Sequence, residues 1–348
     1  MGVTISDVAR AAGVSKGAVS FALNGQPGVS DETRQRILEV AGQLGWKPSL
    51  RARGLSSSKA YALGLVVARD PKLLGLDPFF PAFIAGIETV LAEHEYTLVL
   101  AVAAEPGAEV RSYRKLVEGG RVDGVILTDM RHDDSRIGLL EDLKLRAVTL
   151  NRPETLSPFP AVIMDDTDGI IAAVEHLIHF GHTRIAHVGG AQAYIHGRSR
   201  RRAWEKALAA AGLHADLFVE ADFTAAGGVA ATEALLRGPD RPTAIVYAND
   251  IMATAGLSFA QARGFNVPGD LSVTGYDNAD FVQYLNPPLT TISSDPLMWG
   301  RVAAMALLDL LDGTHNGQDI VLRAPQLLVR ASTGPVRSTR AIDSAERS

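Results

Sequence analysis

With 348 residues, 47% of them hydrophobic and 21% charged, the chain is long enough for two or three compact units with sizeable cores. It contains no cysteine, which excludes disulfides, thiolate metal sites and cysteine nucleophiles. Asp7 and Arg10 interrupt the first apolar stretch and no uncharged apolar run reaches the roughly 18 residues needed to span a bilayer, so the sequence predicts a cytoplasmic protein with no membrane partner.

The charge is unevenly placed. Residues 1–60 carry eight Lys/Arg against four Asp/Glu, a surplus of four, so the net −5 of the whole leaves −9 on the rest. A basic head on an acidic body concentrates attraction to phosphates in one place. Residues 1–46 read as three short helices. Ser6 is placed to cap a helix over residues 7–12, with Ile5, Val8, Ala9 and Ala12 on one face. Gly13-Val14-Ser15 makes a tight turn, and Ser15 caps a second helix, Lys16–Leu23, which stops at Asn24-Gly25. Ser30 caps a third helix with Asp31 and Glu32 in its first turn, an apolar stripe of Ile37, Val40, Ala41 and Leu44, and Gly45 at its end. Residues 47–60 form a linker whose Gly54 and serine run make a poor autonomous helix, though a partner can order it. From Tyr61 onward, strands are predicted at 62–68, 97–103, 124–127, 147–150, 185–188, 244–247 and 271–275. Helices lie between most of them, as at 83–93, 169–180, 228–236 and 252–263. Alternation of this kind with Val/Ile-rich strands indicates parallel sheets covered on both faces, here as two doubly wound lobes.

The run Thr4-Ile5-Ser6-Asp7-Val8-Ala9-Arg10-Ala11-Ala12-Gly13-Val14-Ser15, followed by Val19-Ser20, Leu23-Asn24, Gly28-Val29-Ser30 and Thr33-Arg34, resembles the lactose-repressor/galactose-repressor family of bacterial regulators. Further resemblance runs through Pro78-Phe79-Phe80, Gly181-His182-Thr183-Arg184, Ala248-Asn249-Asp250, Gly275-Tyr276-Asp277 and Pro287-Pro288-Leu289-Thr290-Thr291-Ile292, to about residue 333. It implies an all-α three-helix helix-turn-helix head (1–46) and a hinge helix or linker (47–60). An α/β periplasmic-binding-protein-like core of two doubly wound parallel-sheet lobes would follow (61–333), serving effector binding and dimerisation; the polar composition beyond it predicts a disordered tail (334–348). The function implied is a transcriptional repressor that binds a palindromic double-stranded DNA operator as a homodimer and is switched by a small-molecule effector, a sugar or sugar derivative. Control by a protein partner, as in catabolite-control members, is the alternative within the family. Whether an effector releases DNA or promotes its binding stays open.

In a helix-turn-helix the second helix enters the major groove with its first residues at base edges. Lys16 is thus a candidate for guanine O6/N7, Ser20 for a base or phosphate, and Gly17 and Ala18 permit close approach, Ala18 facing a thymine methyl. Many family members have Thr and Arg at the positions of Ala18 and Phe21, so this chain lacks one base-reading arginine. Thr4, Ser15, Asn24 and Ser30 match family phosphate contacts, with helix capping as the other role of Ser15 and Ser30. Ala52 and Leu55 match the hinge helix, whose leucine wedges a base step open at a cost of roughly a few kcal/mol. In the core, Asn151, Asn249 and Asp277 follow strands, where cleft-facing polar groups belong. The resemblance adds Arg200 as a ligand-facing arginine, Phe79 and Phe223 as apolar walls and Ser294 beside a crossover. Core packing is the other reading of the aromatics, and a lobe-linking ion pair that of Asp277 and Arg200.

No P-loop, Gly-x-Gly-x-x-Gly after the first strand or Gly-x-Ser-x-Gly elbow is present, and the adjacent Asp165 and Asp166 point in different directions at a strand end. His176, His179, His182 and His187 lack an acidic or cysteine partner at a metal-binding spacing. The expectation is therefore a regulator without catalytic residues, metal or cofactor. A free-standing sugar-binding protein would share the core fold but has no use for residues 1–60.

Overall fold

The structure, a computed structural model, describes residues 3–23, 27–46, 59–105 and 107–336. The predicted site residues Asn24, Ala52 and Leu55 lie outside the described residues, as do most of the linker and tail. Residues 334–336, expected in a disordered tail, instead join the second lobe, the Gly334 and Val336 amides donating to the Ser272 hydroxyl and the Phe180 carbonyl at 3.1 Å each.

The head is α1 (Ile5–Ala12), α2 (Lys16–Leu23) and α3 (Asp31–Gln43), closed on Val8, Val19 and Ile37, each fully buried. The cap of α1 is Thr4, not Ser6. Thr4 is extended, and its amide and hydroxyl donate to the Asp7 carboxylate at 3.0 and 2.7 Å. Either residue has cap chemistry, but only Thr4 has an acidic residue three positions on to complete the reciprocal pair. The Thr4 hydroxyl, first among several contributions, holds Asp7 below the usual carboxylate range. Gly13 is left-handed (φ 67°), as the turn between α1 and α2 requires. Ser15 and Ser30 both cap, their hydroxyl oxygens accepting the Ala18 and Thr33 amides at 3.1 and 3.4 Å.

The first lobe contains β1 (Ala62–Val67), β2 (Thr97–Val102), β3 (Gly124–Leu127), β4 (Arg146–Leu150) and β5 (Ala161–Ile163), with α4 (Pro71–Leu76), α5 (Phe79–Glu93), α6 (Ala108–Glu118) and α7 (Arg136–Asp142) between them. The second contains β6 (Ile185–Gly189), β7 (Phe218–Glu220), β8 (Ala244–Tyr247), β9 (Ser272–Asp277) and β10 (Thr290–Ser293), with α8 (Thr167–His179), α9 (Ile195–Ala210), α10 (Ala225–Leu236) and α11 (Asp250–Ala262). The chain then returns to the first lobe for α12 (Pro296–Asp312) and β11 (Ile320–Val321), and to the second for β12 (Gln326–Leu328). The strand orders are 11-5-4-3-1-2 and 12-10-9-8-6-7, parallel except where β12 runs antiparallel to β10. β1, β3 and β8 are buried along their whole length, as strands covered on both faces must be. Three short segments, at 164–166, 294–295 and 322–325, join the lobes.

Three of the four histidines between residues 176 and 187 serve the second lobe's interior, while His179 is exposed. His182 hydrogen-bonds to Thr243, Ser272 and the Gly334 carbonyl, and His176 to Thr333. His187 is fully buried; its Nδ1 is 2.9 Å from the Val246 carbonyl while Nε2 has no partner. Burial, partly offset by that carbonyl, lowers its pKa to about 4. Between pH 6.5 and 4 the unfolded chain therefore takes up a proton that the native site refuses, and stability falls as pH falls. A single site shifted this far removes about 2 kcal/mol between pH 7 and 5. His187→Asn is expected to shrink the difference between urea midpoints at those two pH values; an unchanged difference would show that the imidazole is already solvated.

Candidate functional site

Two places carry exposed or convergent polar chemistry. On the head, α2 presents Lys16, Gly17 and Phe21 to solvent, with Ala18 and Ser20 half-buried beside them, while Val19 and Ala22 face the core. Phe21 is 44% exposed, and its ring lies against Gly28. The Thr4 hydroxyl is turned to Asp7, and Ser30 also donates to the Thr33 hydroxyl at 2.9 Å. The face thus presents small residues and one exposed aromatic ring, with one cation at its leading end.

The second place is the cleft between the lobes. Strand order reverses between β1 and β3 in one sheet and between β6 and β8 in the other, and the loops leaving those strands must diverge, which opens a crevice at the carboxyl ends. The two crevices face each other and enclose about 630 Å³, solvent at the mouth included. Six of the seven core residues singled out from the sequence line it: Phe79, Asn151, Arg200, Phe223, Asn249 and Asp277. Ser294 does not; it stands behind and donates to Asp277 Oδ1 at 3.3 Å.

These side chains are not equally available. Asn249 caps α11, its Oδ1 accepting the Met252 amide at 3.0 Å while Nδ2 donates to the Phe223 carbonyl at 3.0 Å, so most of its amide is committed to structure. Asn151 Oδ1 accepts the Met164 amide at 2.9 Å, leaving Nδ2 toward the cavity. Arg200 donates from Nε to Asp166 Oδ2 at 2.9 Å and from Nη1 to the Ala248 carbonyl, and its guanidinium carbon lies 3.6 Å from the Tyr276 ring centre. Burial opposes its charge, yet the Asp166 carboxylate raises its pKa. Its ion-pair partner is thus Asp166, at the first crossover, rather than Asp277.

Several cleft residues were not anticipated. Arg69, two positions past β1, pairs with Asp129, two positions past β3, through Nε at 2.6 Å and a second, shorter contact. Burial works against the charge of Asp129, but Arg69 holds it below the usual carboxylate range. The Arg69 guanidinium also lies 4.9 Å from the ring centres of Tyr194 and Phe223, both in the second lobe, so this first-lobe cation reaches across. Backbone joins the lobes at the same point, Ile195 N–H donating to the Met130 carbonyl at 2.9 Å. Asp77, Phe80, His196 and Trp299 also line the walls. Burial lowers the pKa of His196 to about 4, so it is neutral at pH 7. Strand-end position next to the order reversal is the signal that marks Arg69 and Asp129.

Backbone strain concentrates here too. Eight described non-glycine residues have positive φ, and four of them, Asp129, Asn151, Phe223 and Asp277, line the cleft. Such conformations cost on the order of 1–3 kcal/mol each and persist where the surroundings over-determine them, commonly at ligand sites. Among the described residues no group of three or more His, Asp or Glu is placed to hold a metal ion, and no helix is long and apolar enough to cross a membrane.

Comparison with known proteins matches residues 4–49 to the family described as bacterial regulatory proteins, lacI family, and residues 174–333 to the periplasmic binding protein-like domain. The HTH-type transcriptional regulator CelR of Thermobifida fusca is 33% identical over 334 residues, covering 94% of this chain and 98% of that protein. The solved complex of the transcriptional regulator CelR with cellobiose superposes with a TM-score of 0.73 at 32% identity, over 95% of this chain and 99% of that one. The lac repressor dimer bound to operator and the anti-inducer ONPF superposes with a TM-score of 0.80 at 28% identity, over 96% and 100%.

Proposed function

Since the chain belongs to the lacI family of bacterial regulatory proteins and is accordingly a DNA-binding transcriptional regulator, we propose that it acts in the cytoplasm as a homodimeric repressor on a palindromic operator, switched by a small polyhydroxy effector bound between its lobes. The observation that carries the effector reading is the cleft: Arg200, Asn151 and Asp277 converge on one cavity with aromatic faces, a donor and acceptor set suited to a sugar or sugar derivative. A relative solved with cellobiose, and another solved as a dimer on its operator, support it.

The lobes transmit the signal through the linker's attachment. Ala60 N–H donates to Asp123 Oδ1 at 2.7 Å and Lys59 pairs with Asp312 at 2.9 Å, so the chain entering the core is tied to the first lobe. A ligand that draws the lobes together reorients that lobe relative to its counterpart in the dimer, and with it the linker (47–60) and the spacing of the two heads (1–46). Lys16, Gly17, Ala18, Ser20 and Phe21 face the DNA in this reading, and Thr4, Ser15, Asn24 and Ser30 its phosphates. Ala52 and Leu55 meet the minor groove.

Selection of bound sequences from a random DNA pool tests the operator: a two-fold symmetric site is expected, and an asymmetric or single half-site would sink the dimeric reading. On that site Lys16→Ala is expected to weaken binding by about 1–3 kcal/mol and to relax preference at one base pair. Uniform weakening across sequences, with a salt dependence reduced by about one charge, would reassign Lys16 to a phosphate. A thermal-shift panel of sugars, sugar phosphates and nucleosides tests the cleft, a dose-dependent rise marking the effector class.

A further inference from the structure

The cleft holds more negative charge than its arginines answer. Asp77, Asp129 and Asp277 line it and Asp166 flanks it, against two guanidinium groups that are already engaged, Arg69 by Asp129 and Arg200 by Asp166. Asp77 enters from the first lobe just ahead of α5 and is only 6% exposed. One of its oxygens accepts the Phe79 amide at 3.0 Å; the other has no hydrogen-bond partner among the described residues. Asp277 enters from the second lobe at the end of β9, and Ser294 is the one side chain that donates to it among the described residues. Neither carboxylate has an ion-pair partner there; Arg200 offsets part of the charge of Asp277, ahead of the repulsion from Asp77, and Arg69 offsets part of that of Asp77. Burial raises the pKa of both, Asp277 the further. Neutral His196 supplies no counter-charge.

A desolvated carboxylate without a cation must either take up a proton or destabilise the folded chain, and such groups are retained where a bound molecule completes them. A phosphate would meet this field with the wrong sign. A neutral hydroxyl would satisfy a lone pair but not the charge. We propose that the effector carries a protonated amine seated between Asp77 and Asp277, one carboxylate from each lobe, making an aminated sugar or similar polar amine the ligand class. This rests on the reading of the cleft as the effector site.

The test is titration calorimetry on the full-length protein at pH 7 with matched probes: glucose, glucosamine and glucose 6-phosphate, then cellobiose and the β-1,4-linked disaccharide of glucosamine. An amine member is expected to bind at least about tenfold tighter than its neutral counterpart, with the phosphate weakest. Asp77→Asn is expected to abolish that preference while raising the melting temperature of the ligand-free protein by about 2–4 °C, the signature of removing a charge kept for function. A neutral or phosphorylated probe binding as tightly as the amine would overturn the proposal and leave the effector cleft standing. A lower melting temperature for Asp77→Asn would also overturn it, because Asp77 would then be part of the framework. Binding by none of the probes overturns this proposal, while the thermal-shift panel of sugars, sugar phosphates and nucleosides decides the effector reading separately.

Discussion

Replacing Arg200 with methionine is expected to destabilise the second lobe by about 3–5 kcal/mol and to abolish its response to ligand. The methionine keeps the stem but strands Asp166, whose side chain is 3% exposed and would then be held by the Tyr276 hydroxyl without a counter-charge. It also removes the donor to the Ala248 carbonyl and the cation above the Tyr276 ring. Most of the cost is the uncompensated carboxylate rather than the lost contacts. The double variant Arg200→Met with Asp166→Asn should therefore recover a large part of it, so that the two single costs do not add. The tryptophans allow this to be read lobe by lobe: Trp46 packs against the head's core, Trp299 lies in the first lobe and Trp204 in the second. With Trp204 as the sole tryptophan, urea unfolding should show an earlier transition in Arg200→Met. A loss below about 1 kcal/mol would mean that solvent screens the pair.

Gly300→Ala is expected to cost the first lobe about 2–4 kcal/mol, against the usual sign of the change. In an open helix, Gly→Ala gains up to about 1 kcal/mol. Here α12 crosses α5 backbone against backbone: a β-carbon on Gly300 would overlap the Phe83 carbonyl and lie 3.1 Å from the Ile87 nitrogen, and one on Gly86 would overlap the Leu297 carbonyl. Backbone atoms cannot rotate away as a side chain would, so the helices must part. That opens the layer in which Phe83, Ile87, Ala303 and Leu307 are now wholly or almost wholly buried. Steric cost then exceeds propensity. Gly42→Ala near the end of α3, where nothing lies within 4 Å, is the contrasting case and should be neutral or slightly stabilising. Trp299 fluorescence during urea unfolding reports the first, and Trp46 fluorescence the second. Equal tolerance of both alanines would show that α5 and α12 separate at little cost.

What could be read ahead of the structure followed from local physics. α2 spans Lys16–Leu23, and β3 and β8 match their predicted bounds, because a capping serine or a wholly apolar run between polar boundaries defines each of them within a few residues. α5 begins at Phe79, four residues ahead of the predicted start, because Pro81 inside a first turn costs no hydrogen bond but breaks the apparent pattern. β5, β7, β10, β11 and β12, two to four residues each, were not anticipated; a run that short has no period and becomes a strand only through its neighbour.

The same division holds for the cleft. Asn151, Asn249 and Asp277 were legible as polar residues at strand ends. Their sequence context did not show that Asn249 would be consumed by a helix cap, or that Ser294 would support Asp277 from behind. The ion pairs were further from reach, since Arg69 and Asp129 stand 60 positions apart and Asp166 and Arg200 stand 34 apart. The chain by itself determined which chemistry ends each strand, through hydrophobic period and punctuation. Only the sheet order and the facing of the two lobes decided which carboxylates meet a guanidinium, as Asp129 and Asp166 do, and which, like Asp77, do not. Charge pairing depends on distance in space, and that distance exists only after both sheets have closed.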